Sequence, residues 1–248
     1  MKHRYYTICA IVCAVIILSA AARAESPWYW LDKGIEYSSR GKYKRAIACD
    51  TKAIELAPDW AIAYCYRGID YYSLGRLDDA LRDYSKAIEL EPEYTDAYYN
   101  RGIAYDDMGC FSDAVGDYTK AIELDPGYVP AYNNRGWVFY QTGEYEKALE
   151  DIATAIGHVD ADETYLRSGI LDTRANIYRG MGRYDEAMED IDRAIELEPG
   201  EYFFYHTRGL IHRDMGNVER ARADFEYACE NNVPEACTDL KELLERDM

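Results

Sequence analysis

Five arginines and five aspartates recur at a fixed separation. Arg67, Arg101, Arg135, Arg174 and Arg208 are each followed sixteen residues later by Asp83, Asp117, Asp151, Asp190 and Asp224. A guanidinium fork meets a carboxylate with two parallel hydrogen bonds. The arginines are therefore expected to be spent on internal ion pairs rather than held open for anions, and removing one partner should cost stability. Few other residues carry chemistry. Outside the N-terminal segment the histidines are His158, His206 and His212, and the last two stand six apart, on different faces of one helix, which excludes a metal pair. Asp160-Ala-Asp162-Glu163 lacks the glycine and the later ligands of a calcium loop. The chain contains no G-x-S-x-G, no phosphate-binding glycine loop and no H-E-x-x-H. The expectation is a chain that is not an enzyme, with no catalytic residue, metal, cofactor or small-molecule substrate.

The elements that must position the charged pairs repeat with them. Tyr64–Pro92 and Tyr98–Pro126 align without a gap at a spacing of 34 residues. Gly34, Gly68, Gly102 and Gly136 form one row, Gly41, Gly75, Gly109 and Gly143 a second, and Ala46, Ala80, Ala114 and Ala148 a third. After an insertion of five residues the rows resume with Gly182, Ala187, Ala194 and Pro199, then with Gly209, Gly216, Ala221 and Ala228. Within a copy, Tyr64, Gly68 and Tyr71 share one helical face, a hole between two knobs that lets a second helix approach. The later glycine falls at the turn, where positive φ is needed. Pro58, Pro92, Pro126 and Pro199 end the second helix and start the next copy. The segment Gly157–Arg167 departs from the pattern, and either a longer loop or an extended first helix over Asp162–Tyr178 fits it.

These rows resemble the tetratricopeptide repeat over about Pro27 to Val233. The resemblance implies an all-α fold, a right-handed superhelical solenoid of six helix pairs at about 27–60, 61–94, 95–128, 129–162, 168–201 and 202–233. Residues 234–248 resemble its capping helix, with Ala236, Leu240, Leu243 and Leu244 on one side. In this family the first helix of each pair lines a concave groove that binds a protein or peptide. Opposite the packing stripe stand Tyr66, Ile69 and Tyr72, then Tyr99, Asn100, Ile103, Asp106 and Asp107, then Asn133, Asn134, Trp137, Tyr140 and Gln141. Later copies offer Asn176, Arg179, His206, Leu210 and Arg213. The partner-binding groove is expected at Tyr66, Tyr72, Tyr99, Asn100, Asn133, Asn134, Trp137 and Tyr140, where rings supply area and amides satisfy a peptide backbone. The basic clamp of the family's chaperone adaptors is missing, since its places read Cys65, Ile69, Asn100, Pro130 and Asn134. The function implied is a scaffold for protein–protein interaction, or an accessory factor for a cell-envelope assembly or secretion enzyme complex.

The N-terminus and the charge bear on where this happens. Lys2 and Arg4 precede an apolar run over Ile8–Leu18, and Ala22-Arg23-Ala24 supplies a cleavage pattern. Residues 1–24 read as a secretory signal peptide, which places the chain in the periplasm or outside the cell. The alternative is a membrane anchor through residues 5–22, the one route by which this chain would meet a membrane. The formal net charge is −18, and loss of Lys2, Arg4 and Arg23 takes it to about −21. A phosphate backbone is repelled by such a surface, so nucleic acid is excluded as a partner. Export leaves five cysteines, Cys49, Cys65, Cys110, Cys229 and Cys237, in an oxidising compartment. The C-x7-C spacing of Cys229 and Cys237 is similar to that of disulfide-linked Sel1-like repeats, which implies a disulfide. The alternative reading of these positions is two small core side chains. Cys49 and Cys65 span another such junction.

Overall fold

The computed structural model describes residues 26–160 and 162–246, so the signal-peptide reading of residues 1–24 lies outside them. The described residues form thirteen α-helices and no strand. None of these helices is long and apolar enough to cross a membrane. The chain divides between Leu124 and Asp125 into two compact units.

The first unit contains α1 (Pro27–Ser38), α2 (Tyr43–Leu56), α3 (Ala61–Ser73), α4 (Leu77–Leu90), α5 (Thr95–Asp107) and α6 (Phe111–Leu124). The first helix starts on Ser26, whose Oγ accepts from the Tyr29 amide at 3.2 Å, with Pro27 at the first helical position. Within a pair the turn is set by glycine: Gly41, Gly75 and Gly109 have φ of +66°, +71° and +71°. Between pairs the stop is proline. Ala57 and Glu91 precede Pro58 and Pro92 and are extended, with φ of −142° and −137°, because the following ring excludes the helical region. The close approach predicted for the glycine row is present. A Cβ on Gly102 would sit 2.7 Å from Cε1 of the fully buried Tyr118, and one on Gly68 would sit 2.6 Å from Tyr84. The two helices of a pair therefore close onto an aromatic ring that a larger residue would displace.

The first copy breaks this rule. Asp50 stands where later copies put Tyr84, Tyr118, Ile152, Ile191 and Phe225, and it is fully buried against Gly34. Asp70, also buried, stands where later copies have Ala104, Val138, Ile177 and Ile211. The two carboxyls lie close enough to act on each other electrostatically. Neither oxygen of Asp50, nor Oδ1 of Asp70, has a hydrogen-bond partner. Two neighbouring buried carboxyls disfavour being charged together, so the folded chain holds a proton there more tightly than the unfolded chain does. Burial and the Asp70 partner push Asp50 up to about 9, and burial raises Asp70 as well.

The second unit contains α7 (Val129–Gln141), α8 (Tyr145–His158), α9 (Thr164–Gly180), α10 (Tyr184–Leu197), α11 (Tyr202–Asp214), α12 (Val218–Glu230) and α13 (Pro234–Arg246). Gly143, Gly182 and Gly216 repeat the positive φ of the first unit's turns. The insertion resolves as an extended first helix: α9 has 17 residues where α7 and α11 have 13. Thr164 and Glu163 anchor the added turn, Thr164 Oγ1 donating to Glu198 Oε1 at 2.5 Å and Glu163 Oε2 accepting from the Asp160 amide.

At the C-terminal end α13 covers α12 with Ala236, Leu240 and Leu243, packed near Ala228, Phe225 and Ala221. Leu244, assigned to the same side from the sequence, is instead 38% exposed. A disulfide joins Cys229 to Cys237, Cα atoms 4.8 Å apart, across a turn in which Asn232 takes the positive φ elsewhere given to glycine. Cys49 and Cys65 do not pair: both are buried free thiols, as Cys110 is a free, half-buried one. We expect reduction of the Cys229–Cys237 bond to cost about 2 kcal/mol through the freed loop. Hydrogen exchange should then rise first in α13, and unchanged protection of α13 would contradict this.

Candidate functional site

All five predicted arginine–aspartate pairs are formed, each bidentate within its own copy. Arg67 Nε and Nη2 lie 2.6 and 2.8 Å from Asp83, and Arg101 lies 2.7 and 2.8 Å from Asp117. In the second unit the corresponding pairs are Arg135–Asp151, Arg174–Asp190 and Arg208–Asp224. The aspartates are buried, so these carboxylates serve the fold. Arg67 also lies 5.5 and 5.8 Å from the ring centres of Tyr64 and Tyr71, so the two knobs sandwich the guanidinium.

The eight expected groove residues all lie on first helices and all are half-buried. Four belong to the first unit. Tyr66 packs beside Trp60 and Ile62. The Tyr72 hydroxyl donates to Asp107 of the next copy at 2.5 Å, and burial with that partner pushes it up to about 12. The ring of Tyr99 lies 6.0 Å from that of Tyr118. Asn100 Nδ2 donates to the Asp96 carbonyl at 2.8 Å and touches Cys65 Sγ at 3.9 Å. Tyr72 and Asn100 thus have polar groups already engaged between or within copies.

The other four belong to α7 in the second unit. Asn133, Trp137 and Tyr140 share one helical face. Trp137 and Tyr140 have ring centres 5.1 Å apart, and Tyr140 also leans on Tyr145 and Gly180. Asn133 Oδ1 is buried and receives no donor. Asn134 is its neighbour on the same helix. One copy further on, the place of Asn133 is taken by Asp172, and one further by His206. Asp172 Oδ1 and His206 Nδ1 are likewise buried without a partner. Burial pushes Asp172 up to about 7, opposed by a hydrogen bond from Thr207 and by the charge of Arg179. A row of three inward polar atoms therefore crosses α7, α9 and α11, each with unused hydrogen-bonding capacity. Sequence reasoning passed over Asp172, although its register with Asn133 and His206 marked it.

Some later groove assignments are corrected. Asn176 is buried, its Nδ2 donating to the Asp172 carbonyl. His206 is buried with Nε2 2.7 Å from Asp239 of α13, which Arg213 also holds at 2.5 Å. Arg179 bonds Asp214 at 2.7 Å. These side chains join consecutive copies or seat the cap, which is why they cluster on the inner faces. Among the described residues no group of histidine, cysteine and acidic side chains is arranged to hold a metal.

Comparison with known proteins agrees with this architecture. Sequence models described as tetratricopeptide repeat match residues 29–59, 95–128, 117–150, 173–201 and 204–232, and one described as TPR repeat matches 70–109. The chain is a protein of multiple tetratricopeptide repeats, a class that binds protein or peptide partners. A tetratricopeptide repeat protein 36 homolog of Drosophila melanogaster is 35% identical over 69 residues, which is 26% of this chain and 37% of the relative. The chain thus spans little more than a third of that relative's length. Two solved structures share the fold. The Cut9–Hcn1 hetero-tetramer of APC/C aligns with a TM-score of 0.77 and 19% identity over 89% of this chain and 43% of that one. The pilF protein of Pseudomonas aeruginosa aligns at 0.72 and 16%, over 91% and 99%.

Proposed function

We propose that the chain is an exported scaffold that captures an extended peptide segment of a protein partner on the inner faces of its first helices. The observation that carries the reading is the face of α7, where a half-buried aromatic pair, Trp137 and Tyr140, adjoins an amide oxygen with no donor of its own. A buried acceptor left unpaired is costly, and a peptide N–H would relieve it. Asp172 and His206 continue the row at the spacing of the copies. In the first unit Tyr66 and Tyr99 offer ring surface, while Tyr72 and Asn100 are mainly structural. Export rests on residues 1–24, and an exported chain whose intact mass begins before Glu25 would refute cleavage there.

The test is affinity capture from envelope and secreted fractions, with the wild-type chain beside Asn133→Ala/Trp137→Ala. Both residues line α7 outside the ion pairs, so the variant should melt within a few degrees of wild type. A captured partner should be lost at least about tenfold, as expected for a central aromatic anchor. Full retention by the folded variant would move binding off this face.

A further inference from the structure

The extra turn of α9 creates a second site, which lies outside the inner row. In other copies the third guanidinium nitrogen reaches back to the preceding second helix. Arg67 Nη1 donates to Thr51, Arg101 Nη1 to Ser85 and Arg208 Nη1 to Asp192, at 3.2, 3.0 and 3.0 Å. In the fifth copy that position is Ala153, which has no acceptor, and the insertion separates it further from Arg174. Arg174 binds Asp190 through Nε and Nη2 alone, leaving Nη1 without a partner. Its side chain is correspondingly the most exposed of the five, at 29% against 16–25%.

Arg174 lines a pocket of about 690 Å³ formed by α9 and α10. Arg167, Leu171 and Arg174 line it from one stripe of α9, at helical spacing. Arg167 belongs to the added turn, and its half-buried side chain makes no hydrogen bond or ion pair among the described residues. From α10 come Leu197, Arg193 and four acidic residues. Three of these are already neutralised, Asp190 by Arg174, Asp192 by Arg208 and Glu196 by Arg193. What remains free is the charge of Arg167 and the Nη1 hydrogens of Arg174 on α9 and apolar surface at Leu171 and Leu197, with Glu189 exposed on α10.

We propose that this pocket binds a carboxylate of the protein partner, carried on an acidic side chain or a chain terminus beside an aliphatic residue. Arg167 and Arg174 Nη1 hold the carboxylate, and the two leucines take the aliphatic group. A planar acceptor suits two guanidinium edges. The inference rests on the reading of the chain as a protein binder, while its test is independent of that reading.

Three blocked peptides serve as probes on the full chain: acetyl-Leu-Glu-Leu-amide, acetyl-Leu-Leu with a free terminus, and acetyl-Leu-Gln-Leu-amide. Binding is read by titration of the arginine side-chain Nε–H signals. Saturable binding of the first or second peptide, with shifts at Arg167 and Arg174 and none from the glutamine peptide, supports the site and identifies the source of the carboxylate. Arg167→Gln, checked to keep the wild-type melting temperature, should weaken that binding roughly tenfold. Arg222→Gln, an exposed arginine of α12, should leave it unchanged. No saturable binding, equal binding of the glutamine peptide, equal binding of inorganic phosphate, or indifference to Arg167→Gln would each overturn the proposal. If the probes fail while Asn133→Ala/Trp137→Ala still abolishes capture, the inner-face reading stands without this pocket.

Discussion

Arg101→Ala is expected to lower the unfolding free energy by about 3 kcal/mol, far more than loss of an ordinary surface ion pair. The guanidinium holds Asp117 with two hydrogen bonds, and that aspartate is buried. Without its partner the carboxylate has to stay charged in a poor solvent or take up a proton. The substitution also removes the stem that lies between Tyr98 and Tyr105, 5.7 and 5.9 Å from the guanidinium carbon. Urea titration reads the loss as a lowered midpoint. The double variant Arg101→Leu/Asp117→Leu should recover much of it, because no charge is then left buried. A double variant as unstable as the single one would show that the cost lies in lost packing rather than in the orphaned carboxylate.

A second large effect is expected from the Asp50–Asp70 pair. In the unfolded chain both carboxyls titrate near 4. In the folded chain burial holds both higher, Asp50 up to about 9. Across that window the folded chain keeps a proton that the unfolded chain has released. Stability is therefore complete below the unfolded pKa and declines as pH rises toward the folded one, by about 1 kcal/mol per pH unit. This is opposite in sign to the usual effect of salt-bridged aspartates. Asp50→Asn replaces one of the two buried ionisable groups with an amide that never charges. It should flatten the decline and stabilise the chain more at pH 8 than at pH 5. Parallel pH profiles for wild type and variant would show that the pair ionises freely.

The rows that define each helix pair were legible because each rests on one physical demand that few residues meet. Gly102 had to be bare for Tyr118 to fit, Gly75 had to reach positive φ, and Pro92 had to end α4. The Arg101–Asp117 spacing likewise followed from two antiparallel helices of fixed length. What escaped was departure from the rows. Asp50 sits in the buried second-helix row of Tyr84, Tyr118 and Phe225, yet one polar residue in an amphipathic stretch looks like a solvated face until its neighbours are seen. The inner faces were legible as faces but not as to which side chains are free. Asn133 and Asn100 occupy comparable surfaces, and only the fold shows that Asn100 spends its amide on its own helix. His206 was assigned to the groove because nothing in the sequence showed that Asp239 would reach back to it.

The backward reach of Nη1 also determines how neighbouring copies in the second unit respond to salt. Arg208 ties α11 to α10 through the half-exposed carboxylate of Asp192, and added electrolyte screens such a bond. At the seam between α8 and α9 that tie is missing, and Ile170 and Ile177 meet Ile152, Ala155 and Val159 instead. Sulfate or phosphate at high concentration strengthens an oily seam. The two seams therefore answer ionic strength in opposite directions, and α9 would be gripped hardest from the α8 side under the conditions that loosen α11 from α10.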